Sequence, residues 1–136
     1  MNYPLRNAIV DFVKGKINAF ELAVFLCKQR LNYPLPMYYA LMNLLSSHDI
    51  ERIRTALSVR FHYHELSREQ QASFRITDVQ DEQGAKLQKL CVALQFVLPG
   101  VPSVYYGDET GMQGFFDPFN RAPFVHGNCD LTQYYA

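Results

Sequence analysis

His48 and Asp49 stand side by side where an apolar run, Leu41, Met42, Leu44 and Leu45, gives way to Ser46-Ser47. A His-Asp pair at the end of such a run stands where chemistry usually sits. Two more acids, Asp108 and Glu109, follow a second apolar run, Val101 to Tyr106. Asp117 and Arg121 lie four residues apart in a stretch punctuated by Pro118 and Pro123, with Phe115, Phe116, Phe119 and Phe124 around them. A carboxylate and a guanidinium fork suit sugar hydroxyls, and aromatic faces suit sugar rings. The same residues equally make a surface ion pair and ordinary loop packing, which is the default. His62 and His64 in the sequence HYH share one face if the stretch is a strand, a metal-ligand spacing. Their surroundings are polar and lack a strand pattern, so a solvated loop or helix end is the better reading.

The elements around these residues decide what they can do. After Asp49, Ile50, Ile53, Ala56 and Leu57 recur at helical spacing with charges between them. The stretch Leu41–Leu57 therefore predicts a buried strand, a loop and a helix. In α/β folds ligands gather at the carboxyl ends of strands, where loops vary without unseating the core. The structural alternative is that Ser46 or Ser47 caps the helix while His48 and Asp49 tie down its first turn. Spacing alone favours that alternative. The metal-dependent phosphohydrolase form of a His-Asp pair needs an upstream histidine ligand, and His48 is the first histidine in the chain. Asp108-Glu109 occupies a second strand end, where a capping or loop-holding role is favoured over catalysis.

Upstream, Pro4 fits a first helical turn, and Leu5, Ala8, Ile9, Phe12 and Val13 keep one helical face until Gly15. Asn18 and Glu21 form a plausible capping pair for a second helix. Phe20, Ala23, Val24, Cys27 and Leu31 make one stripe of it, widened by Leu22, Phe25 and Leu26, so cover is expected on more than one side. Pro34 and Pro36 are expected to end that helix and lead into the strand. Arg60 to Gln83 reads as helix end, surface loop and one polar turn. Leu87, Leu90, Cys91, Leu94 and Leu98 restore helical spacing up to Pro99-Gly100. From Gln113 onward the sequence reads as loop. Strands separated by helices are parallel, and parallel strands belong inside a larger sheet covered on both faces. Two strands do not make such a sheet, so the expected fold is part of an α/β domain.

With 136 residues, the chain has the size of one ordinary domain. Thirteen basic residues balance thirteen acidic ones, so no net field draws it to nucleic acid or to a membrane surface, and a neutral substrate fits better. Cys27, Cys91 and Cys129 form no CxxC, and the first two fall on apolar helical stripes, which predicts reduced, buried thiols in a cytoplasmic protein. The N-terminus has no continuous apolar leader core, and no run approaches membrane-spanning length. Neither a Gly-rich phosphate loop nor a GxSxG elbow is present.

Four stretches carry a family resemblance. MNLLSSHDIER at Met42–Arg52, LPGVPSVYYGDETGM at Leu98–Met112, DPFNRAPF at Asp117–Phe124 and MNYPLRNAIVDF at Met1–Phe12 resemble motifs of the alpha-amylase superfamily (glycoside hydrolase family 13). The resemblance is strongest to its neopullulanase, cyclomaltodextrinase and maltogenic amylase branch. It implies an α/β fold, namely the helix-rich C-terminal part of a (β/α)8 TIM barrel with strands 7 and 8, so that residues 1–136 form one partial catalytic domain. It implies retaining cleavage of alpha-glucosidic bonds, with an alpha-glucan oligosaccharide as ligand; no cofactor and no metal ligand is assigned among these residues. By motif, Asp49 matches the acid that stabilises the transition state and His48 the neighbouring sugar-binding histidine. Asp117 and Arg121 match further sugar contacts. His126 departs from the aromatic residue usual after the R-x-P motif. The family's nucleophile and proton donor belong to strands 4 and 5, which nothing here resembles. The expectation is a barrel fragment, inactive alone and homo-oligomeric through exposed edges. Its rival is a non-catalytic, self-associating module.

Overall fold

The computed structural model describes residues 1–59, 65–127 and 129–136. In chain order the elements are α1 (Tyr3–Val13), α2 (Ala19–Asn32), α3 (Leu35–Tyr39), β1 (Met42–Leu44), α4 (Ile53–Ser58), α5 (Arg68–Ser73), α6 (Asp78–Val97), β2 (Val101–Ser103) and α7 (Cys129–Tyr135), with a 3-10 turn at Phe119–Arg121. They fall into two compact units, residues 1–45 with 90–103 and residues 46–89 with 104–136. His62 and His64 lie outside the described residues. Among those described, no helix is long and apolar enough to cross a membrane.

In the first unit, Asn2 opens α1 by accepting a hydrogen bond from the Leu5 N–H at 3.3 Å. Pro4 sits in the first turn, where a missing N–H costs nothing. The expected capping pair opens α2: Asn18 Oδ1 accepts from the Glu21 N–H at 3.0 Å, and Glu21 Oε2 accepts from the Asn18 N–H at 2.8 Å. The apolar stripe of α2 is a correction to the expectation. Phe20 is 76% exposed and Leu31 82%, Cys27 is exposed too, and the helix buries only Leu22 and Gln29. A polar anchor helps select that face, since Gln29 Nε2 donates to Asn2 Oδ1 at 2.8 Å. Pro34 and Pro36 also depart from expectation, because they start α3 rather than leading directly into a strand.

β1 and β2 are parallel, as the crossover pattern requires, with Met42 opposite Val101 and Leu44 opposite Ser103. Polar side chains hold this short pair. Asn43 Oδ1 accepts from Asn2 Nδ2 at 3.0 Å, and Asn43 Nδ2 donates to the Pro99 carbonyl at 3.1 Å. Gln95 Nε2 donates to the carbonyls of Asn43 at 3.0 Å and Ser103 at 2.9 Å. Gly100, at φ 131°, passes so close that a Cβ there would meet Asn43 Nδ2 at 2.5 Å, so the turn into β2 admits only glycine. On α6 the buried positions include Gln88, Cys91, Val92 and Gln95, while Leu90 is exposed. The expected stripe thus located the helix and its buried Cys91, but it placed Leu90 inside and passed over Gln88, Val92 and Gln95.

Of the two cysteines whose burial is described, only Cys91 meets the expectation of a buried thiol. Burial pushes Cys91 up from 9.0 to about 12, with Arg6 acting weakly the other way. A thiol pKa raised by folding supports stability below the unfolded value, and that support is lost as pH rises from about 9 toward 12. Iodoacetamide at pH 8, read by peptide mass spectrometry, should modify Cys27 at once and Cys91 only after unfolding. Equal labelling rates would refute the assigned burial.

In the second unit, α4 starts at Ile53 without a cap from Arg52. Its first N–H is instead taken by Ser46 Oγ at 2.8 Å. A Ser67–Gln70 capping box starts α5, inside a stretch expected to be mostly loop. The C-terminal stretch is also more ordered than expected, because α7 is fastened from the side. Leu131 is buried, Thr132 Oγ1 donates to the Glu109 carbonyl at 3.0 Å, and Tyr134 OH donates to the Lys89 carbonyl at 3.1 Å. One buried leucine in a short polar segment leaves little periodicity to detect.

Candidate active site

Beyond β1 the chain turns tightly: Ser47 Oγ accepts from the Asp49 N–H at 3.1 Å. The two side chains of interest point away from the interior, at 51% exposure for His48 and 53% for Asp49, with Nε2 and Oδ1 3.1 Å apart. The capping alternative is therefore met in one half only. Ser46 satisfies the helix, but His48 and Asp49 precede its first residue by four or more positions and are left outward.

Asp117 and Arg121 make the expected local pair, with Oδ1 and Nε 2.6 Å apart and both side chains about half exposed. Their turn reaches the His48–Asp49 loop. Arg121 Nη2 lies 3.5 Å from the His48 carbonyl, and Asn120, fully buried, donates from Nδ2 to the carbonyls of Ser47 at 3.0 Å and Ile50 at 2.8 Å. The four residues singled out by sequence are thus brought together through a fifth that was not. Nothing in its spacing marks Asn120, since an asparagine in a Pro-flanked turn is commonplace.

Arg52 was also missed. It is 0% exposed, its Nη1 donates to the Tyr106 carbonyl at 2.6 Å, and the same nitrogen lies 3.6 Å from Asp108 Oδ1. Its guanidinium carbon sits 4.9 Å from the Tyr105 ring centre and 4.7 Å from that of Tyr106. Buried Asp108 is thereby committed to holding this loop, the role favoured for it from sequence. Partial burial, and then Tyr106 alongside, push the Tyr105 phenol above its ordinary value, against the opposing pull of Arg52 and Arg121.

The surrounding aromatics divide. Phe115 is buried and meets Phe74 edge-on at 5.4 Å, which is packing. Phe124 is exposed and meets His126 edge-on at 5.1 Å. A groove of about 440 Å³ runs beside Phe74, Arg75, Phe115, Phe119 and Arg121, and neither His48 nor Asp49 lines it. The outward groups together offer two carboxylates, an imidazole and a guanidinium within one loop cluster. Such a set can hydrogen-bond a polyol and favour positive charge beside a carboxylate.

Comparison with known proteins gives the same direction. The chain is similar to an amylopullulanase of Thermoanaerobacter thermohydrosulfuricus, at 40% identity over 96% of this chain and 9% of that protein. It is 34% identical to a cyclomaltodextrinase of Thermoanaerobacter pseudethanolicus, over 87% of this chain and 17% of that protein. Among solved structures, the ligand-free cyclic alpha-maltosyl-(1→6)-maltose hydrolase of Arthrobacter globiformis superposes with a TM-score of 0.76 at 29% identity, covering 99% of this chain and 26% of that one. The chain therefore spans less than a fifth of the length of these curated relatives. No family model matches it.

Proposed function

The chain belongs to the alpha-amylase superfamily, glycoside hydrolase family 13, and from that premise we propose that it supplies strands 7 and 8 to the barrel of a retaining alpha-glucan hydrolase. The observation that carries this reading is the outward His48–Asp49 pair, held against the Asp117–Arg121 turn. Asp49 acts as the carboxylate that steadies positive charge at the anomeric carbon as the glycosidic bond breaks. His48 donates to a sugar hydroxyl beside it. Asp117 and Arg121 hold hydroxyls of a neighbouring glucose unit, the carboxylate accepting and the guanidinium donating. Substrates of this class are maltodextrins, cyclodextrins or pullulan, cut at alpha-1,4 and in some enzymes alpha-1,6 bonds.

The nucleophile and the proton donor belong, by the family pattern, to strands outside the matched segment. Catalytic groups that act as a unit lose nearly everything when part of the set is missing. The purified 136-residue chain should therefore show no turnover of a chromogenic maltoside. Grafting this segment in place of the matching part of the cyclomaltodextrinase should give a chimera that hydrolyses maltodextrin. A folded chimera without activity, or turnover by the isolated chain, would overturn the proposal. The apolar side chains that α2 and α3 leave exposed, Phe20, Leu31, Leu35 and Met37, favour a second reading in which the chain only self-associates. That reading requires the same inactive chimera.

A further inference from the structure

We propose that Asn120 is a positioning residue, whose carboxamide sets the place of the His48–Asp49 loop relative to the Asp117–Arg121 turn; this rests on the reading of Asp49 as the charge-stabilising acid. The two carbonyls that Asn120 Nδ2 meets belong to Ser47 and Ile50, the residues immediately before His48 and after Asp49. One amide nitrogen thus brackets the pair. Its two N–H bonds lie in one plane and diverge, so using both fixes the loop in rotation as well as in distance. The residue is fully buried, and its Oδ1 has no hydrogen-bond partner among the described residues. Leaving a buried carbonyl oxygen unpartnered is unfavourable, and the two donated bonds are what the side chain offers in return. Asn120 also lies between Asp117 and Arg121 in sequence, so the turn that carries one pair of sugar contacts grips the other. A shift of even 1 Å between such groups is enough to cost about a hundredfold in rate.

The test uses the full chain, isotope-labelled, and three readouts. In the wild type the Asn120 side-chain amide protons should exchange with solvent at least about tenfold more slowly than those of an exposed asparagine. Fast exchange there would overturn the proposal without any variant. In Asn120→Ala and in the isosteric Asn120→Asp, which lacks the donors, the Asp49 backbone amide should exchange about tenfold faster while amides of α1 and α2 keep their wild-type rates. An unchanged Asp49 amide in a folded variant also overturns it. If alanine unfolds the chain, the aspartate variant and the wild-type measurement still decide. The third readout is titration with maltotriose. Asn120→Ala should lose the shift at His48 and keep that at Arg121, whereas a merely structural role would move both together. A wild type that gives no shift at either residue refutes the sugar-binding reading and leaves the positioning result standing on the exchange data.

Discussion

Replacing Arg52 with alanine lowers the stability of the fold by about 3–5 kcal/mol, the range for removing one partner of a buried ion pair. The magnitude follows from where the charge sits. Arg52 is fully buried, donates to the Tyr106 carbonyl at 2.6 Å, and lies 3.6 Å from Asp108, which is buried as well. The 3.6 Å separation is an ion contact rather than a hydrogen bond, so the carbonyl bond and the two tyrosine faces fix the guanidinium while Asp108 balances its charge. Truncation removes the cation, the packing of its stem and the Tyr106 bond together. Lysine does not rescue, because a point charge lacks the planar fork that lies against the rings. Urea unfolding followed by far-UV circular dichroism measures the loss. The double variant R52A/D108A should be no less stable than R52A alone, since the orphaned carboxylate is gone. A loss under about 1 kcal/mol for R52A would show that the pair is dispensable.

Asp49→Asn in the cyclomaltodextrinase chimera lowers kcat by about 10²–10³-fold, the range for deleting one electrostatic stabiliser of a transition state. Asparagine keeps the shape and one acceptor oxygen but not the negative charge. Charge develops on the sugar only as the bond breaks, so the deficit falls on kcat more than on KM. His48→Ala is the milder change, since a hydroxyl bond present in the bound substrate is also lost from the ground state, and KM rises with it. Equal kcat values for the parent chimera and its Asp49→Asn variant would remove Asp49 from the chemistry altogether.

What could be read from residue order alone follows from how local each signal is. The α1 start at Pro4, the Asn18–Glu21 box and the stop at Pro99-Gly100 are decided within a few residues, and each is found where expected. The inner faces of α2 and α6 are not local. Leucine and phenylalanine spacing pointed to Phe20, Leu31 and Leu90, but those are exposed, and the buried positions include Gln29, Gln88 and Gln95. A glutamine enters a core only when strand or cap carbonyls await it, and that partner lies far along the chain. The site shows the same division. His48, Asp49, Asp117 and Arg121 stand out by type and neighbourhood, and a collinear set of motifs makes the family legible. Asn120 bonds to the carbonyls of Ser47 and Ile50, and Arg52 to that of Tyr106, partners which no side-chain pattern records.

The glutamine at position 95 has a wider consequence. Each strand of the parallel pair is only three residues long, too short for its ladder alone to forbid slippage. By donating to Asn43 in one strand and Ser103 in the other, Gln95 ties the two frames to a single nitrogen. Sliding either strand by one residue would break that tie, and a slip of β1 would also turn Asn43 away from the turn it anchors. The alignment of the two strands is thus written largely in a helix, and mutations on α6 can misalign a sheet whose own residues are untouched.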